Sequence, residues 1–381
     1  MDTQVTNTID YLARARAMAP DIAAASTRVD VDRNLAPKIR DRLIGEQFFR
    51  MLQPKSLGGA ELHPKTYSMI TETIAAADGS TGWCVCQNNG CSMTSAYLSE
   101  ASARDIFGPD TGIVAWGPPG GPGVAERVEG GYRISGTWRF ASGSSHASWL
   151  GAHMKLADTG KTRTMLFPKS SVRMVDIWHT LGLRGTASNE YVAENLFVPE
   201  RYSVARDDPA ERREQGLLYR FSSNQLYSCG FAGVALGIAR ATLEAFLALP
   251  EEKTSRGAGK TLRENNVIQT QVAQCVAKLR SARANLHNTW DEAWAHVVAA
   301  GEQTMEDRTM IRLASTWAIT EAKQVVQTLY HAAGSVAIFE DHPFERRFRD
   351  IHTVAQQSQG RQLHFETVGQ IVLGVAVENQ F

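Results

Sequence analysis

Along the first hundred residues the apolar positions recur three and four apart, a spacing that predicts helix after helix over 11–25, 35–45 and 67–77. Short breakers separate them, the clearest being QPKSLGG at 53–59. Asp78-Gly79-Ser80-Thr81-Gly82 closes one helix and offers caps for the next, predicted to begin near Trp83. Past Phe107 the pattern changes. Glycine and proline gather at 116–123, and apolar residues alternate with polar ones over 124–128, 132–140, 149–156, 162–167 and 191–198, the period of half-buried strands. The charge-rich stretch 201–214 reads as an exit linker. From about residue 221 the helical spacing returns: 231–247 carries alanine and glycine close together, 267–298 and 310–332 are long and amphipathic, 334–343 interrupts, and 344–373 resumes. The predicted fold class is mainly α with a β insertion (α+β): an N-terminal helical domain over 1–110, a central antiparallel β domain over 111–215 and a C-terminal four-helix bundle over 216–381, whose apolar outer faces suit self-association.

Composition narrows the function classes. Forty basic and forty acidic residues cancel, so no global field draws in nucleic acid or an anionic membrane. The first residues, MDTQVTNTID, lack the basic start and apolar core of a signal peptide, and no apolar run approaches the length of a bilayer span. Five cysteines do not make a disulfide framework and point to a reducing cytoplasm. Cys84, Cys86 and Cys91 have no second pair to complete a zinc site and read as small buried apolar residues. The ten histidines are scattered without metal-ligand spacing, so no metal is expected. Gly257-Ala258-Gly259-Lys260-Thr261 has the look of a phosphate loop but lacks its first glycine and preceding strand.

The most informative segment is GGYRISGTWRFASGSSHASW at 130–149. A bulky alternating strand stops abruptly in Ser142-Gly143-Ser144-Ser145-His146. Small hydroxyl residues and a glycine at a strand end let a flat ligand approach the backbone and hydrogen-bond in its plane. A hairpin whose serines cap a turn reads equally well from this segment alone.

Several motifs in order and spacing resemble the acyl-CoA dehydrogenase superfamily over essentially the whole chain: Leu57-Gly58-Gly59, Gly136-Thr137-Trp138-Arg139-Phe140-Ala141-Ser142-Gly143, Leu181-Gly182-Leu183-Arg184-Gly185-Thr186, Phe197-Val198-Pro199, Ala333-Gly334-Ser335 and Arg349-Asp350. In the commonest branch a glutamate shortly after the Arg-Asp pair takes the α-proton of an acyl thioester. That register holds Ser358 here, inside Gln356-Gln357-Ser358-Gln359. Together with Gly79-Ser80-Thr81-Gly82-Trp83 and Arg349-Asp350-Ile351-His352-Thr353, the chain resembles the flavin-dependent monooxygenase branch, the oxygenase half of two-component hydroxylases.

The resemblance implies reduced FMN or FAD supplied by a separate flavin reductase, O2 adding at flavin C4a, a small aromatic or N-heteroaromatic substrate and a cytoplasmic homotetramer. It also implies roles. Ser142 stands at flavin N5 and His352 near C4a, as catalytic groups; Trp116 and Phe140 pack on the isoalloxazine; Arg256, Gly334 and Ser335 meet the flavin tail. Trp83, Asn88 and His146 are the substrate-side candidates. Read without the resemblance, Trp83 is equally a core residue, His146 a turn cap and His352 a structural helix histidine. An acyl-CoA dehydrogenase or flavin oxidase holding FAD permanently, an N- or S-oxygenase, and a silent scaffold of the same fold are the rival functions. The oxygenase reading requires Ser142 and His352 to share one cavity.

Overall fold

Two helical groups enclose a pair of small sheets in this computed structural model, which describes residues 10–121, 123–251, 253–254 and 259–375. The first group is α1 (Tyr11–Asp32), α2 (Pro37–Gly45), α3 (Pro64–Ala77), α4 (Gly79–Ser92) and α5 (Glu100–Phe107). Helix α4 starts four residues before the predicted point. The Asp78 carboxylate accepts the Thr81 backbone N–H at 2.7 Å and so caps a first turn made of the very residues read as a breaker.

Strands follow: β1 (Val114–Ala115), β2 (Val124–Val128), β3 (Gly131–Ala141), β4 (Trp149–Lys155), β5 (Thr162–Pro168), β6 (Arg173–Val175), β7 (Asn189–Pro199) and β8 (Ser203–Val204). They form two four-stranded sheets, ordered β1-β4-β5-β8 and β2-β3-β7-β6. Pairing within them is antiparallel except where the two-residue β1 lies parallel to β4. The alternation seen in the sequence is the cause. Tyr132, Ile134 and Trp138 of β3 point inward, and Trp138 stacks on Tyr191 of β7 at 5.3 Å. The stretch 201–214 does not run free as a linker. It contains β8, and its Glu211 pairs with Arg163 of β5 at 2.7 Å.

The last group is α6 (Ser223–Leu247), α7 (Asn266–Ala300), α8 (Met305–Ala333), α9 (Pro343–Val354) and α10 (Leu363–Val372), so the run read as one helix over 344–373 is broken in two. Helix α6 is the spine of the molecule and packs on α3, α4, α8 and α9. Contrary to the sequence reading, it is long and apolar enough to cross a membrane, but 72% of its most apolar window is buried inside the fold. Its alanines and glycines allow that burial, since small side chains let four helices crowd one. Full burial of a large apolar side chain such as Trp290 or Phe344 contributes about 2–3 kcal/mol, so this packed centre dominates the stabilisation.

Candidate functional site

Between the sheets and the helical spine lies a cavity of about 530 Å3, within the usual range for a small-molecule site. Its β side begins with an irregularity in β3, whose ladder with β7 slips between Trp138 and Ala141. Phe140 sits in that bulge at φ 60°, a left-handed conformation that a bulky residue rarely adopts. A bulge re-aims side chains. Here it turns the Phe140 ring out of the sheet to line the cavity, 56% exposed and edge-on to Trp178 at 6.0 Å. Gly117 crosses directly over the bulge, where a Cβ would lie 1.6 Å from the Arg139 carbonyl oxygen. Trp116 lies over Gly151 of β4 in the same way: a Cβ there would meet the indole at 2.5 Å.

Next to Phe140 a chain of hydroxyls fixes a proton direction. Thr186 Oγ1 is 2.9 Å from the Leu183 carbonyl, to which it can only donate, so it accepts from Ser188 at 2.7 Å. Ser188 then accepts from Ser142 at 2.6 Å. Ser142 also receives the Trp83 indole N–H at 3.0 Å. Every hydroxyl proton thereby has a protein acceptor, and Ser142 keeps one lone pair for the cavity that it lines. Such a group receives an N–H and has no proton of its own left to give.

The helical side is aromatic, then polar. Trp83 of α4 stacks on Phe231 of α6 at 3.9 Å, and Tyr227 continues the wall. Thr353 of α9 and the following Gln356, Gln357, Ser358 and Gln359 complete it. The Gln357 amide oxygen accepts the Gln359 backbone N–H at 3.1 Å, which sets the orientation of the amide. Its Nε2 is buried and has no partner. An unsatisfied donor of this kind calls for a ligand acceptor. No Asp or Glu lines the cavity among the described residues; its charged groups are Arg206 and Arg361. A flat ring with carbonyl acceptors on one edge and an N–H on the other fits this set of groups, which is the pattern of reduced flavin.

The structure divides the predicted site residues. Ser142, Trp116, Phe140 and Trp83 all line this cavity. Asn88 and His146 do not. They bond to each other at 2.9 Å, while Asn88 also donates to the Val114 carbonyl at 2.9 Å, so the pair clamps the 142–146 turn to α4 and β1. Burial, with Lys169 and Arg40 nearby, pushes the His146 pKa down to about 3, as expected of a structural imidazole. His352 is not among the cavity-lining residues either, so the requirement that it share one cavity with Ser142 fails, and any flavin reading has to stand on the groups that do line the cavity. One residue of helix turns a side chain by about 100°. Thr353 therefore faces the cavity while His352 lies against α8, its Nε2 3.2 Å from Gln327 Nε2 and its ring 4.4 Å from Phe348. Gly334 and Ser335 are exposed at the end of α8, away from the cavity lining. Arg256 lies outside the described residues.

The imidazole that does line the cavity is His153 of β4, which sequence reasoning passed over. Its Nδ1 meets Thr164 Oγ1 across the ladder at 2.8 Å. Burial, reinforced by the Arg206 charge, holds its pKa well below the ordinary value, so the ring is neutral at pH 7. A signal was present: Trp149, Gly151 and His153 share the face of β4 opposite Leu150, Ala152 and Met154. Ser188, two residues beyond the Gly185-Thr186 motif, and Arg206, inside the presumed linker, carried no such signal.

With this geometry in view, comparison with known proteins is specific. Residues 229–361 match the family described as acyl-CoA dehydrogenase, C-terminal domain. Over 351 residues the chain is 29% identical to an indole-3-acetate monooxygenase of Pseudomonas putida, covering 91% of this chain and 89% of that protein. It is 26% identical over 315 residues to the flavin-dependent monooxygenase oxygenase subunit HsaA of Rhodococcus jostii, covering 80% and 82%. The solved structure of XiaF from a Streptomyces species, in complex with FADH2 and glycerol, superimposes with a TM-score of 0.89 at 22% identity, covering 97% of this chain and 96% of that one.

Proposed function

We propose that this chain, a member of the acyl-CoA dehydrogenase superfamily on its flavin-dependent monooxygenase branch, is the oxygenase component of a two-component hydroxylase. It takes reduced FMN or FAD from a separate reductase and uses O2 to hydroxylate a small aromatic or N-heteroaromatic molecule, phenol- or indole-like. The observation that carries this reading is the wall opposite Ser142. A dehydrogenase must place a carboxylate there to take the α-proton, and this cavity has glutamine amides and the Ser358 hydroxyl in its place, with no acidic residue in its lining.

Reduced flavin, when bound, supplies the electrons and the reaction with O2; the protein supplies position, dryness and proton control. Trp116 and Phe140 would flank the ring from the β side, Ser142 would accept its N–H, and the orphaned Gln357 amide would donate to a ring oxygen. Trp83, Tyr227 and Phe231 keep water out on the substrate side. His153, neutral and lining the cavity, would accept a hydrogen bond from a phenolic hydroxyl or an indole N–H. Trp317, Ile338, Phe339 and Leu363, exposed on the last helices, support self-association as a homotetramer, which would bring the exposed Gly334 and Ser335 toward a neighbouring copy. Five free, buried thiols suit a reducing cytoplasm.

The test is direct. Purified protein should be colourless, should consume O2 only when reduced flavin is added, and should convert an aromatic probe to a hydroxylated product. A yellow preparation that keeps oxidised FAD through gel filtration and oxidises an acyl thioester would replace this reading with the dehydrogenase one.

A further inference from the structure

The wall that carries Gln357 has an idle side-chain donor but a backbone that is tied to α8 and α10. Two consecutive carbonyls of the turn at 358–360 are engaged: Gln359 O accepts the Thr316 hydroxyl of α8 at 3.0 Å, and Ser358 O lies 2.7 Å from Nε2 of His364, the second residue of α10. A second, smaller cavity of about 190 Å3 adjoins the first; its lining shares Asn224, Ser358 and Gln359 with it and adds Arg308, Arg312 and His364. The turn is thus a partition between two chambers. The partners of His364 fix its state. A carbonyl can only accept, so Nε2 carries the proton; a guanidinium can only donate, so Nδ1, 2.9 Å from Arg312 Nη1, carries none. His364 is therefore one neutral tautomer with both nitrogens used, a bridge from α8 to the cavity wall. The groups around it favour that state. Arg312 faces it from α8 and Arg361 from its own segment, while the smaller cavity adds Arg308 of α8, only uncharged side chains from the α6 end, and no carboxylate among the described residues. Burial first, then Arg312 and Arg361, hold the imidazole below its ordinary pKa.

We propose that His364 is a positioning residue for this wall: as the neutral tautomer it ties the Ser358 carbonyl to Arg312 and so holds the Gln357 amide where a flavin ring oxygen can take its proton in a hydrogen bond. This rests on the reading of the larger cavity as a reduced-flavin site. The Gln357 amide is oriented by the Gln359 N–H, and Gln359 directly follows the tied carbonyl, so a shift of the turn moves the donor. A protonated imidazole would set N–H against N–H at Arg312, and that end of the bridge would part. The bridge is therefore whole above about pH 6.5 and opens as pH falls below it.

Two variants and two readouts test this. The readouts are the dissociation constant of reduced FMN, titrated anaerobically by fluorescence between about pH 8 and about pH 5, and hydrogen exchange of the Gln359 and Gly360 amides in the flavin-free protein. His364→Phe removes both hydrogen bonds. It should weaken FMN binding by roughly 10-fold at about pH 8 and speed exchange at those two amides. His364→Gln offers one donor and one acceptor and does not titrate, so it should keep affinity and exchange within about threefold of wild type. Between about pH 8 and about pH 5 the wild-type dissociation constant, divided by that of His364→Gln, should rise severalfold; the ratio cancels the titration of the flavin itself. Wild-type FMN affinity in His364→Phe overturns the assignment, as does a ratio that stays flat with pH. Equal losses in His364→Phe and His364→Gln at the same melting temperature overturn it too. Should wild-type protein bind no reduced flavin while exchange quickens in His364→Phe and recovers in His364→Gln, the bridge stands and the oxygenase reading falls alone.

Discussion

The two walls of the cavity are built on opposite principles. On the β side the hydroxyl chain that faces the ligand is already held: Trp83 fixes Ser142, Ser142 fixes Ser188, and Ser188 fixes Thr186, which ends on a carbonyl. On the α9 side the polar groups are loosely held. The Gln357 amide nitrogen is buried without a partner, and Arg361 stands exposed. The difference teaches which wall sets geometry and which responds. A preorganised wall can place one atom of a cofactor without reorganising, whereas an underused wall gains its hydrogen bonds only when the ligand arrives.

If that contrast is right, damage to the β wall should cost most. Ser142→Ala removes an acceptor on the cavity wall and leaves the Trp83 N–H and the Ser188 hydroxyl without their shared partner. Coupled product formation should fall by roughly 100-fold, with the lost turnovers appearing as hydrogen peroxide, while reduced flavin is still consumed. Peroxide and product measured in the same reaction check it. Unchanged coupling would mean that the hydroxyl chain is structural only.

The two walls are tied together by one buried carboxyl, and pH should loosen that tie. Asp350 of α9 accepts the Leu183 backbone N–H of the β side at 2.6 Å. Burial, with Asp78 and Asp30 nearby, raises its pKa to about 7. The sign follows from linkage: the folded state holds this proton more tightly than the unfolded chain does. The stability it contributes is therefore complete below about pH 4 and lost as pH rises toward 7. Asp350→Asn keeps an oxygen for Leu183 and cannot ionise. At pH 8 it should be more stable than wild type, by something on the order of 2 kcal/mol, with the gap closing toward pH 5. Urea unfolding of both proteins at the two pH values checks this, and a gap that widens on acidification would reverse the assignment.

Much of the preorganised wall was legible in the chain, and little of the responsive one was. Phe140 and Ser142 lie in a strand and turn whose alternation and small residues announce their geometry locally, and Trp116 opens the glycine-proline cluster at 116–123. The bulge that aims Phe140 was not readable, because a ladder slip depends on the partner strand 50 residues later. Asn88 and His146 were read as substrate-side candidates and are not; whether each faced the ligand or its partner hung on side-chain direction, which spacing does not report. Ser358 marked the register where a base is missing, but the orphaned donor next to it exists only because the Gln359 backbone claims the other end of the amide. Arg206 is the extreme case. Its surroundings come from β1, β4 and α6, elements far apart in sequence, and its own segment looks like a solvated linker.

A smaller effect tests the responsive wall. Gln357→Leu removes the idle donor and also frees the Gln359 N–H from its acceptor. Affinity for reduced FMN should weaken by roughly 3- to 10-fold, the worth of one hydrogen bond, with little change in the ratio of product to peroxide. Flavin fluorescence titration under anaerobic conditions reads the first and a coupled assay the second. A fall in coupling as large as that of Ser142→Ala would erase the distinction between the walls.

The smallest effect expected is at His352, and it is the most pointed, because the sequence motif singles this residue out and the fold turns it away. Its imidazole is held below its ordinary pKa by burial and then by Lys323, lies against Gln327 and Phe348, and is separated from the cavity by the turn of α9 that presents Thr353. His352→Ala should therefore leave coupling within about twofold and lower stability by about 1 kcal/mol through lost packing. His153→Ala should weaken substrate binding, since that ring faces the ligand. The pair of variants isolates what geometry adds to motif. If His352→Ala loses coupling by tenfold or more at an unchanged melting temperature, α9 must present its other face to a ligand in the assembled enzyme, and the responsive wall then extends across an interface between copies.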